Sequence, residues 1–307
     1  MKSAYIAVGY RCNHRCLMCP LSTRDRLHAA LSYEQIIRSI EDLSAGDHIT
    51  LSGGEPTLVP FLLDLIQEIL KRGIRITLLS NGIGFTVLEM VERLAEIVKK
   101  SPFNVVIAIH SANPEIHDAM TGLSGSFDQS MLAIHQVLDA GVNVTLKYII
   151  SGYTITGLPD LAKRIAEEFT PNLEIQLTSM DYSGHALKKA DEFRVTFEQA
   201  RHFVNTALDI LLHQCHQAYR VSMIEMPLCA CSPEYWFCFR QTGNTSLYLA
   251  PNVENTEKII RELPNQCAAI YPPCHKCDVR CFCPGTWYSA YRLIGETLIN
   301  PIKCVVL

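Results

Sequence analysis

Three cysteines near the start of the chain have a spacing that suits a metal centre. They are Cys12, Cys16 and Cys19, in the segment CNHRCLMC, and the next cysteine is Cys215. Thiolates are soft ligands for zinc and for iron–sulfur clusters. A structural zinc site takes four protein ligands, whereas three thiolates on a [4Fe–4S] cluster leave one iron without a protein ligand. Such an iron would be open to a further ligand.

A second group of cysteines lies in the last third of the chain. Ten of the 13 cysteines fall there, and the segment PPCHKCDVRCFCPG contains Cys274, Cys277, Cys281 and Cys283. In a reducing compartment, clustered thiols indicate metal sites rather than disulfides. We expect Cys215 and Cys304, which stand apart from these motifs, to be ordinary buried thiols.

The elements that must position these motifs alternate regularly. Short aliphatic runs predict strands at Ala4–Val8, His48–Leu51, Ile74–Leu79, Asn104–Ile109, Asn143–Ile150 and Asn172–Leu177. Segments with helical periodicity predict helices at Ser32–Leu43, Phe61–Lys71, Val87–Lys99, Phe127–Ala140, Leu158–Phe169 and Phe197–His216. This alternation indicates a parallel sheet with right-handed crossovers. Six units are two short of a closed (β/α)8 barrel, so we expect a partial (β/α)6 TIM-like barrel of the α/β class.

The composition changes near residue 218, where proline and cysteine become frequent and helical periodicity weakens. We therefore expect a barrel domain over residues 1–217 and a Cys-rich iron–sulfur extension over residues 218–307. The chemical motifs of the barrel all follow predicted strands, where barrel enzymes carry their functional groups. These motifs are the cysteine segment, Gly53-Gly54-Glu55-Pro56, Ser80-Asn81-Gly82 and His110-Ser111.

Charge and hydropathy exclude several partners. The chain has 27 Lys and Arg against 31 Asp and Glu, so it lacks the basic excess that a phosphate backbone requires. It contains no apolar run of roughly 18 residues, as a membrane helix would need, and no signal-peptide pattern. We expect a cytoplasmic protein that binds neither nucleic acid nor membranes.

The segment CNHRCLMC resembles the CxxxCxΦC motif of radical S-adenosylmethionine (SAM) enzymes, with Met18 at the apolar position. Gly53-Gly54-Glu55-Pro56 resembles the GGEP-type motif of the same family, and the family fold is a partial (β/α)6 barrel. The resemblance covers roughly residues 4–217. It implies a [4Fe–4S] cluster on the three cysteines, with SAM bound to the open iron. Reductive cleavage of SAM, fed by a flavodoxin- or ferredoxin-type electron donor, would give a 5′-deoxyadenosyl radical that abstracts hydrogen from a substrate.

The same resemblance implies several cofactor contacts. Gly53 and Gly54 would let the backbone approach the methionyl group of SAM, and Met18 would pack on the adenine. Glu55 is expected either to contribute to the cofactor site or to serve as a structural carboxylate. Asn81, with Ser80 before it, would contact SAM or simply form a turn.

The end of the fourth strand departs from the family pattern. Relatives often carry a Ser-x-Asp-Gly sequence there, whereas this chain has Ala108-Ile109-His110-Ser111, so His110 or Ser111 would replace the ribose contact. Lys147 on the fifth strand would reach the SAM carboxylate if it faces inward, or remain solvated. The segments His117-Asp118 and Gly125–Asp128 resemble an HD…GSF stretch, which we expect to cap a helix.

The C-terminal cysteines resemble the auxiliary-cluster region, called SPASM or twitch, of peptide-maturing radical SAM enzymes such as those of His-Xaa-Ser systems. The resemblance favours one auxiliary [4Fe–4S] cluster, because a full SPASM pattern has a further cysteine near the place of Trp287; two clusters are the alternative, since ten cysteines are enough to hold them. The implied ligands are Cys229, Cys274, Cys277 and Cys283. The alternatives are Cys231, Cys238, Cys267 and Cys281, and zinc on the same cysteines is an alternative metal.

Asp181, Tyr182 and His185, in SMDYSGHA after the sixth strand, are candidate acid–base residues, unless this segment is a plain surface loop. The expected substrate is a ribosomally synthesised peptide, modified by a crosslink, epimerisation or dehydrogenation. The alternative is a small molecule such as a sugar or antibiotic precursor, with the auxiliary cluster as electron acceptor. Only 11 residues precede Cys12, so we expect no N-terminal leader-binding domain. The GGEP motif argues against a third possibility, an electron-transfer or scaffold iron–sulfur protein without SAM chemistry.

Overall fold

The computed structural model describes residues 1–21, 29–241, 243–252, 257–263, 267–268 and 270–303. Its strands are β1 (Ser3–Ala7), β2 (His48–Ser52), β3 (Arg75–Ser80), β4 (Phe103–Ala108), β5 (Asn143–Ile150), β6 (Glu174–Ser179), β7 (Arg220–Ile224), β8 (Thr245–Pro251), β9 (Glu257–Leu263), β10 (Cys267–Ala268) and β11 (Thr286–Trp287). The first nine form one sheet in the order β7-β6-β5-β4-β3-β2-β1-β8-β9.

Strands β1 to β8 are parallel to their neighbours, and β9 pairs with β8 in the antiparallel direction. Because β7 and β9 form the two ends of this sheet, the described strands make an open rather than a closed barrel. Strands β10 and β11 form a separate antiparallel pair. The predicted partial barrel is confirmed.

Helices connect the strands and cover the outer face of the sheet. They are α1 (Tyr33–Ser39), α2 (Leu62–Lys71), α3 (Leu88–Val98), α4 (Pro114–Thr121), α5 (Ser126–Asp139), α6 (Leu158–Glu168), α7 (Gly184–Lys188), α8 (Ala190–Phe193), α9 (Phe197–Asp209) and α10 (Tyr288–Ile294). Helix α1 begins with a capping box, in which Ser32 and Gln35 bond to each other's backbone N–H. None of the described helices is long and apolar enough to span a membrane.

The two faces of the sheet differ in polarity. On the face toward the helices, side chains such as Ile49 and Leu78 are fully buried. On the other face, polar side chains are only partly buried, and His48 Nε2 lies 2.9 Å from Thr77 Oγ1. Parallel sheets covered on both faces carry nearly continuous apolar runs. The alternation seen here therefore indicates a polar, partly accessible barrel interior.

The structure corrects several predicted elements. The last predicted helix, Phe197–His216, ends as an α-helix at Asp209 and continues as a π-helix over Ile210–Gln214. The sixth strand begins two residues later than predicted, at Glu174, and α4 and β7 to β11 were not predicted. Strand β7 extends the main sheet beside β6. The domain boundary after residue 217 stays a prediction.

Candidate cofactor site at the cysteine loop

The cysteine loop, residues 12–19, follows β1 and is held by the end of α4. The N–H of Arg15 donates to the carbonyl of Thr121 at 2.8 Å, and that of Leu17 to the carbonyl of Met120 at 2.9 Å. Gly122 ends α4 with φ 67°, and a Cβ there would lie 2.7 Å from the carbonyl oxygen of Arg15. A glycine is therefore needed for the helix end to support this loop.

The three cysteines of this loop, Cys12, Cys16 and Cys19, are all half-buried. His14 between them is buried, and its Nδ1 lies 3.9 Å from Cys16 Sγ. Within the described ranges, no three His, Cys, Asp or Glu side chains are grouped to hold a single metal ion. A donor set of three thiols suits a [4Fe–4S] cluster, which is bound through cysteine thiolates.

Gly53 and Gly54 pack directly on the chain that leads into the cysteine loop. The N–H of Gly54 donates to the carbonyl of Gly9 at 2.7 Å. A Cβ on Gly53 would lie 2.1 Å from the Gly9 oxygen, and one on Gly54 would lie 2.2 Å from the Arg11 oxygen. The space that these glycines leave free is thus filled by backbone. Their expected approach to the methionyl group stays a prediction.

Glu55 joins the ends of β2 and β3. Its Oε1 accepts hydrogen bonds from the N–H and hydroxyl of Thr57 and from Ser80 Oγ, and its Oε2 accepts from the N–H of Asn81 at 2.7 Å. Burial raises the pKa of this carboxyl group. Of the two roles considered for Glu55, these contacts match the structural one, and a contact with the cofactor stays a prediction.

Asn81 connects the end of β3 to the cysteine loop. Its Nδ2 donates to Asn13 Oδ1 at 2.6 Å and lies 3.9 Å from Cys12 Sγ, while its Oδ1 accepts from the N–H of Ile83. Ser80 Oγ lies behind it, bonded to Glu55. Asn81 therefore forms a turn and also contacts the cysteine loop, and its contact with SAM stays a prediction.

His110 and Ser111 are both buried after β4. Ser111 Oγ accepts from the N–H of Asn113, which begins α4, and the His110 ring stacks on His117 with centroids 5.3 Å apart. Burial lowers the pKa of His110 to about 3 and that of His117 to about 4. Both imidazoles are therefore neutral at pH 7.

The HD…GSF stretch caps a helix, as expected. Asp118 Oδ1 accepts from Ser126 Oγ and from the N–H of Phe127, both at 2.9 Å, and its Oδ2 accepts from the N–H of Gly125 at 2.5 Å. These donors belong to the start of α5, where backbone N–H groups have no partner within the helix. The carboxylate of α4 thus fixes the start of α5.

Met18 and Lys147 lie on elements that border the same region. Met18 is buried and belongs to the main hydrophobic core. Lys147 is half-buried on β5, opposite Ala108 of β4, and stands between the buried Leu146 and Tyr148. Lys147 therefore faces the barrel interior. Contacts of Met18 and Lys147 with SAM stay predictions.

The loop after β6 rests on the cysteine loop. The N–H of His185 donates to the carbonyl of Cys19 at 2.9 Å. Gly184 has φ 54°, and a Cβ there would lie 2.2 Å from the carbonyl oxygen of Pro20. His185 is thus brought beside the cysteines.

Asp181 and Tyr182 take part in structural hydrogen bonds. Asp181 accepts from Ser289 Oγ at 2.7 Å, which ties this loop to α10. The Tyr182 hydroxyl donates to the carbonyl of Phe193 at 3.0 Å, and burial raises its pKa to about 12. These bonds make both side chains supports of the loop, and an acid–base role for either stays a prediction.

Glu225, which the sequence reasoning missed, lies at the end of β7 with φ 57°. Its Oε2 accepts from Thr178 Oγ1 at 2.8 Å. Burial, and to a smaller extent the charge of Glu225, raises the pKa of Tyr5 and that of Cys267. The alternating run Arg220–Ile224 was the available signal, because a seventh strand would have put Glu225 at the functional edge.

The four predicted ligands of the second group, Cys229, Cys274, Cys277 and Cys283, come together. Burial raises the pKa of Cys229 to about 12, and the nearby thiols of Cys283 and Cys274 raise it further. Burial raises the pKa values of Cys274 and Cys283 as well, and the Cys277 thiol contributes to both increases. Four thiols with mutual electrostatic influence form a donor set suited to a [4Fe–4S] cluster.

Backbone N–H groups point at two of these sulfurs. The N–H of Leu228 donates to Cys283 Sγ at 3.3 Å, and that of Ile302 donates to Cys277 Sγ at 3.4 Å. Hydrogen bonds to the sulfurs are one of the features that tune an iron–sulfur cluster.

The alternative cysteines occupy different surroundings. Cys231 and Cys238 are both buried and close to each other, since the Cys238 thiol raises the pKa of Cys231. Cys267 lies near Asp181 and Glu225, and Cys281 is exposed.

The two cysteines expected to be ordinary buried thiols have different outcomes. Cys215 is half-buried rather than buried, and its Sγ donates to the carbonyl of Ile210. Cys304 lies outside the described residues.

Comparison with known proteins gives consistent results. The chain is 27% identical over 203 residues to the Fe-coproporphyrin III synthase of Methanosarcina barkeri (strain Fusaro / DSM 804), covering 65% of this chain and 49% of the relative. It is 25% identical over 216 residues to the antilisterial bacteriocin subtilosin biosynthesis protein AlbA of Bacillus subtilis (strain 168), covering 68% and 47%. The chain thus spans about half the length of the curated relatives it matches.

A solved structure shares the fold. Streptococcus suis SuiB bound to precursor peptide SuiA matches with a TM-score of 0.56 at 15% identity, covering 72% of this chain and 48% of SuiB. The family model described as Radical SAM superfamily matches residues 6–169, which is more than half of the chain. With the cysteine loop, the glycine-rich turn and the open barrel in place, the chain belongs to the radical SAM superfamily, a family of enzymes whose members use a [4Fe–4S] cluster and SAM.

Proposed function

We propose that this enzyme cleaves SAM at a [4Fe–4S] cluster held by Cys12, Cys16 and Cys19, and that it modifies a ribosomally synthesised peptide. The observation that carries the first part is the packing of Gly53 and Gly54 on the chain leading into the cysteine loop. It brings the two family motifs together at one edge of the barrel. The bound cluster and SAM would supply the radical that abstracts hydrogen from the substrate.

The residues around the loop hold it in place. Glu55 fixes the ends of β2 and β3 through its four donors, and Asn81 extends that support to Asn13 within the loop. Supports of this kind maintain the geometry that a reacting site needs. Met18, buried on the same loop, would exclude water from one side of the cofactor.

The peptide substrate is supported by two relatives and by the shape of the sheet. The name of AlbA refers to the biosynthesis of a bacteriocin, and SuiB is seen with a precursor peptide. The described sheet is open between β7 and β9, which leaves room for an extended chain at its mouth. The name of the Fe-coproporphyrin III synthase supports the second candidate, a small-molecule substrate.

We further propose that Cys229, Cys274, Cys277 and Cys283 bind one auxiliary [4Fe–4S] cluster. Their mutual proximity supports this assignment, as do the backbone N–H groups that point at Cys277 and Cys283. A cluster there would accept an electron from the substrate or conduct it to an external partner.

The decisive experiment is anaerobic reconstitution with iron and sulfide, reduction, addition of SAM and quantification of 5′-deoxyadenosine. We expect 5′-deoxyadenosine from the unsubstituted protein and about eight irons per chain. Absence of 5′-deoxyadenosine in protein that carries its iron would overturn the proposal. Zinc that persists at the C-terminal cysteines would overturn the auxiliary-cluster assignment.

The substrate class has its own test. Short peptides encoded beside the gene are incubated with the reconstituted enzyme and SAM, in H2O and in D2O, and analysed by mass spectrometry. Loss of hydrogen would indicate a crosslink or dehydrogenation, and gain of deuterium would indicate epimerisation. If no such peptide changes while a small molecule is consumed, the second candidate replaces the first.

A further inference from the structure

Two stacked histidines behind the cysteine loop each have a buried ring nitrogen that has no hydrogen-bond partner among the described residues. These atoms are Nδ1 of His110 and Nε2 of His117. His117 is fully buried and His110 is 5% exposed. Buried polar groups in proteins almost always have a hydrogen-bond partner, because an unpaired one costs its full desolvation penalty. A pair left without one in the protein alone indicates that a bound group supplies the partner.

The contacts of His117 fix the position of its proton. The backbone N–H of His110 donates to Nδ1 of His117 at 3.2 Å, so Nδ1 is an acceptor. Burial keeps the ring neutral at pH 7, and a neutral imidazole carries its one proton on the other nitrogen. Nε2 of His117 is therefore an N–H donor. Phe127 packs edge-on against the same ring at 5.5 Å and holds its orientation.

The neighbourhood of the pair indicates what the bound group is. His110 follows β4 and His117 belongs to the next helix, α4, so both lie at the carboxyl edge of the parallel sheet, where the cysteine loop follows β1. The helix that carries His117 also supports the cysteine loop through its last turn. A cluster held by that loop would bring anionic sulfur atoms, which accept hydrogen bonds.

We propose that His110 and His117 donate hydrogen bonds to sulfur atoms of the cluster on the cysteine loop and thereby raise its reduction potential. Such bonds stabilise the more negative, reduced cluster, and they are an established means of tuning a potential. Both histidines are positioning residues, acting on the cluster rather than on the substrate. The inference rests on the proposed function, because it requires the cluster at Cys12, Cys16 and Cys19.

The test is the midpoint potential of this cluster in the full chain, titrated without SAM and followed by electron paramagnetic resonance (EPR). In His117→Phe and in His110→Phe we expect the ratio of reduced to oxidised cluster at a fixed potential to fall about tenfold, equivalent to ~59 mV for one electron. His117→Gln, which keeps an N–H donor, should stay near the unsubstituted value. His135→Phe is the matched control, since His135 stacks on Phe169 away from the loop.

Several outcomes would overturn the proposal. An unchanged potential in a folded His117→Phe protein is one, and a shift that appears only after SAM is added is another, because the acceptor would then be SAM. If the variants fail to fold, unsubstituted protein labelled with 15N-histidine decides. Its reduced cluster must then show nitrogen couplings to more than one histidine, and coupling to one or none contradicts the proposal. If the histidine variants shift the potential as expected but the unsubstituted protein does not cleave SAM, the proposed function is refuted and this proposal is not.

Discussion

The two cysteine groups of this protein differ in number and in surroundings. The N-terminal group has three half-buried thiols on one loop, framed by the glycines that follow β2 and by the end of α4. The four thiols proposed as C-terminal ligands come from two segments, one with Cys229 and the other with Cys274, Cys277 and Cys283, and Cys229 and Cys274 are buried. Under the proposed function, the N-terminal group would leave one iron open to a further ligand, and the C-terminal group would supply all four ligands of its cluster.

This difference shows how the same side chain serves two purposes. A cluster with four cysteine ligands has no vacant iron, so it stores or transfers an electron. A cluster with three cysteine ligands also binds a cofactor, provided that the surrounding backbone leaves room. Four substitutions test this contrast.

Removal of one N-terminal thiol should abolish the reaction. In Cys16→Ala we expect loss of the SAM-binding cluster and a fall of at least about a thousandfold in 5′-deoxyadenosine formation, since the cofactor carries the chemistry. The measurement is 5′-deoxyadenosine per iron by liquid chromatography and mass spectrometry. Cys215→Ala is the control, because Cys215 lies at the end of the π-helix. Cleavage at the normal rate in Cys16→Ala would refute the three-cysteine site.

Cys281 and Cys283, two residues apart in the C-terminal segment, provide a matched pair of substitutions. Cys283→Ala should lower the iron content by about half while SAM cleavage continues, because Cys283 belongs to the four-thiol cluster. Cys281→Ala should leave the iron unchanged, because Cys281 is exposed. Iron analysis and Mössbauer spectra check both variants. The reverse result, with iron lost only in Cys281→Ala, would reassign the ligand.

The glycine turn should tolerate no side chain. Gly54→Ala places a Cβ 2.2 Å from the carbonyl oxygen of Arg11, so we expect the free energy of unfolding to fall by ~3 kcal/mol, as for overpacking. Chemical denaturation of the metal-free protein measures this. Gly243→Ala, where a Cβ would meet nothing within 4 Å, should change little. Equal stability of the two variants would contradict the packing described for the turn.

Loss of the Asp118 carboxylate, which caps the start of α5, should have the smallest effect on stability. Burial raises the pKa of Asp118, but hydrogen bonds from Phe127, Gly125 and Ser126 outweigh this and leave it lowered. Asp118→Asn should therefore lower the free energy of unfolding by ~1 kcal/mol at pH 7.

The pH dependence tests the cause of that effect. A lowered pKa in the folded state contributes stability above the unfolded pKa, near 3.9, and this contribution is lost as pH falls through the folded pKa. The free energies of unfolding of Asp118→Asn and of the unsubstituted protein should accordingly approach each other as the pH falls below about 4. Denaturation curves at several pH values measure it, and a constant difference would contradict the ionised cap.

Local patterns in the sequence predicted much of the barrel. The HD…GSF cap at Asp118 depends on residues close in sequence, and it is present. The alternation of strands and helices likewise gave the first six strands within about two residues, because each βα unit is a local structure. Cys229, Cys274, Cys277 and Cys283 are close enough to influence one another's pKa values, and their role as ligands of one cluster stays a prediction.

Contacts between distant segments could not be predicted in this way. Strand β8 pairs with β1 from the far end of the chain, and β7 extends the sheet beyond the six predicted units. The meeting of His14, His110 and His117 has the same origin, since it depends on how α4 packs behind the cysteine loop. Periodicity within a segment carries no information about which distant segment it will meet.

The most direct test of the open iron is electron–nuclear double resonance of the reduced protein with isotopically labelled SAM. In the Cys274→Ala/Cys277→Ala variant we expect only the N-terminal cluster, so that its signal is not mixed with that of a second cluster. We predict hyperfine coupling between that cluster and 17O in the carboxylate of SAM, and its absence in Cys16→Ala. A reduced cluster that shows no coupling to labelled SAM, or a loop that takes up a single tetrahedral ion, would contradict the account.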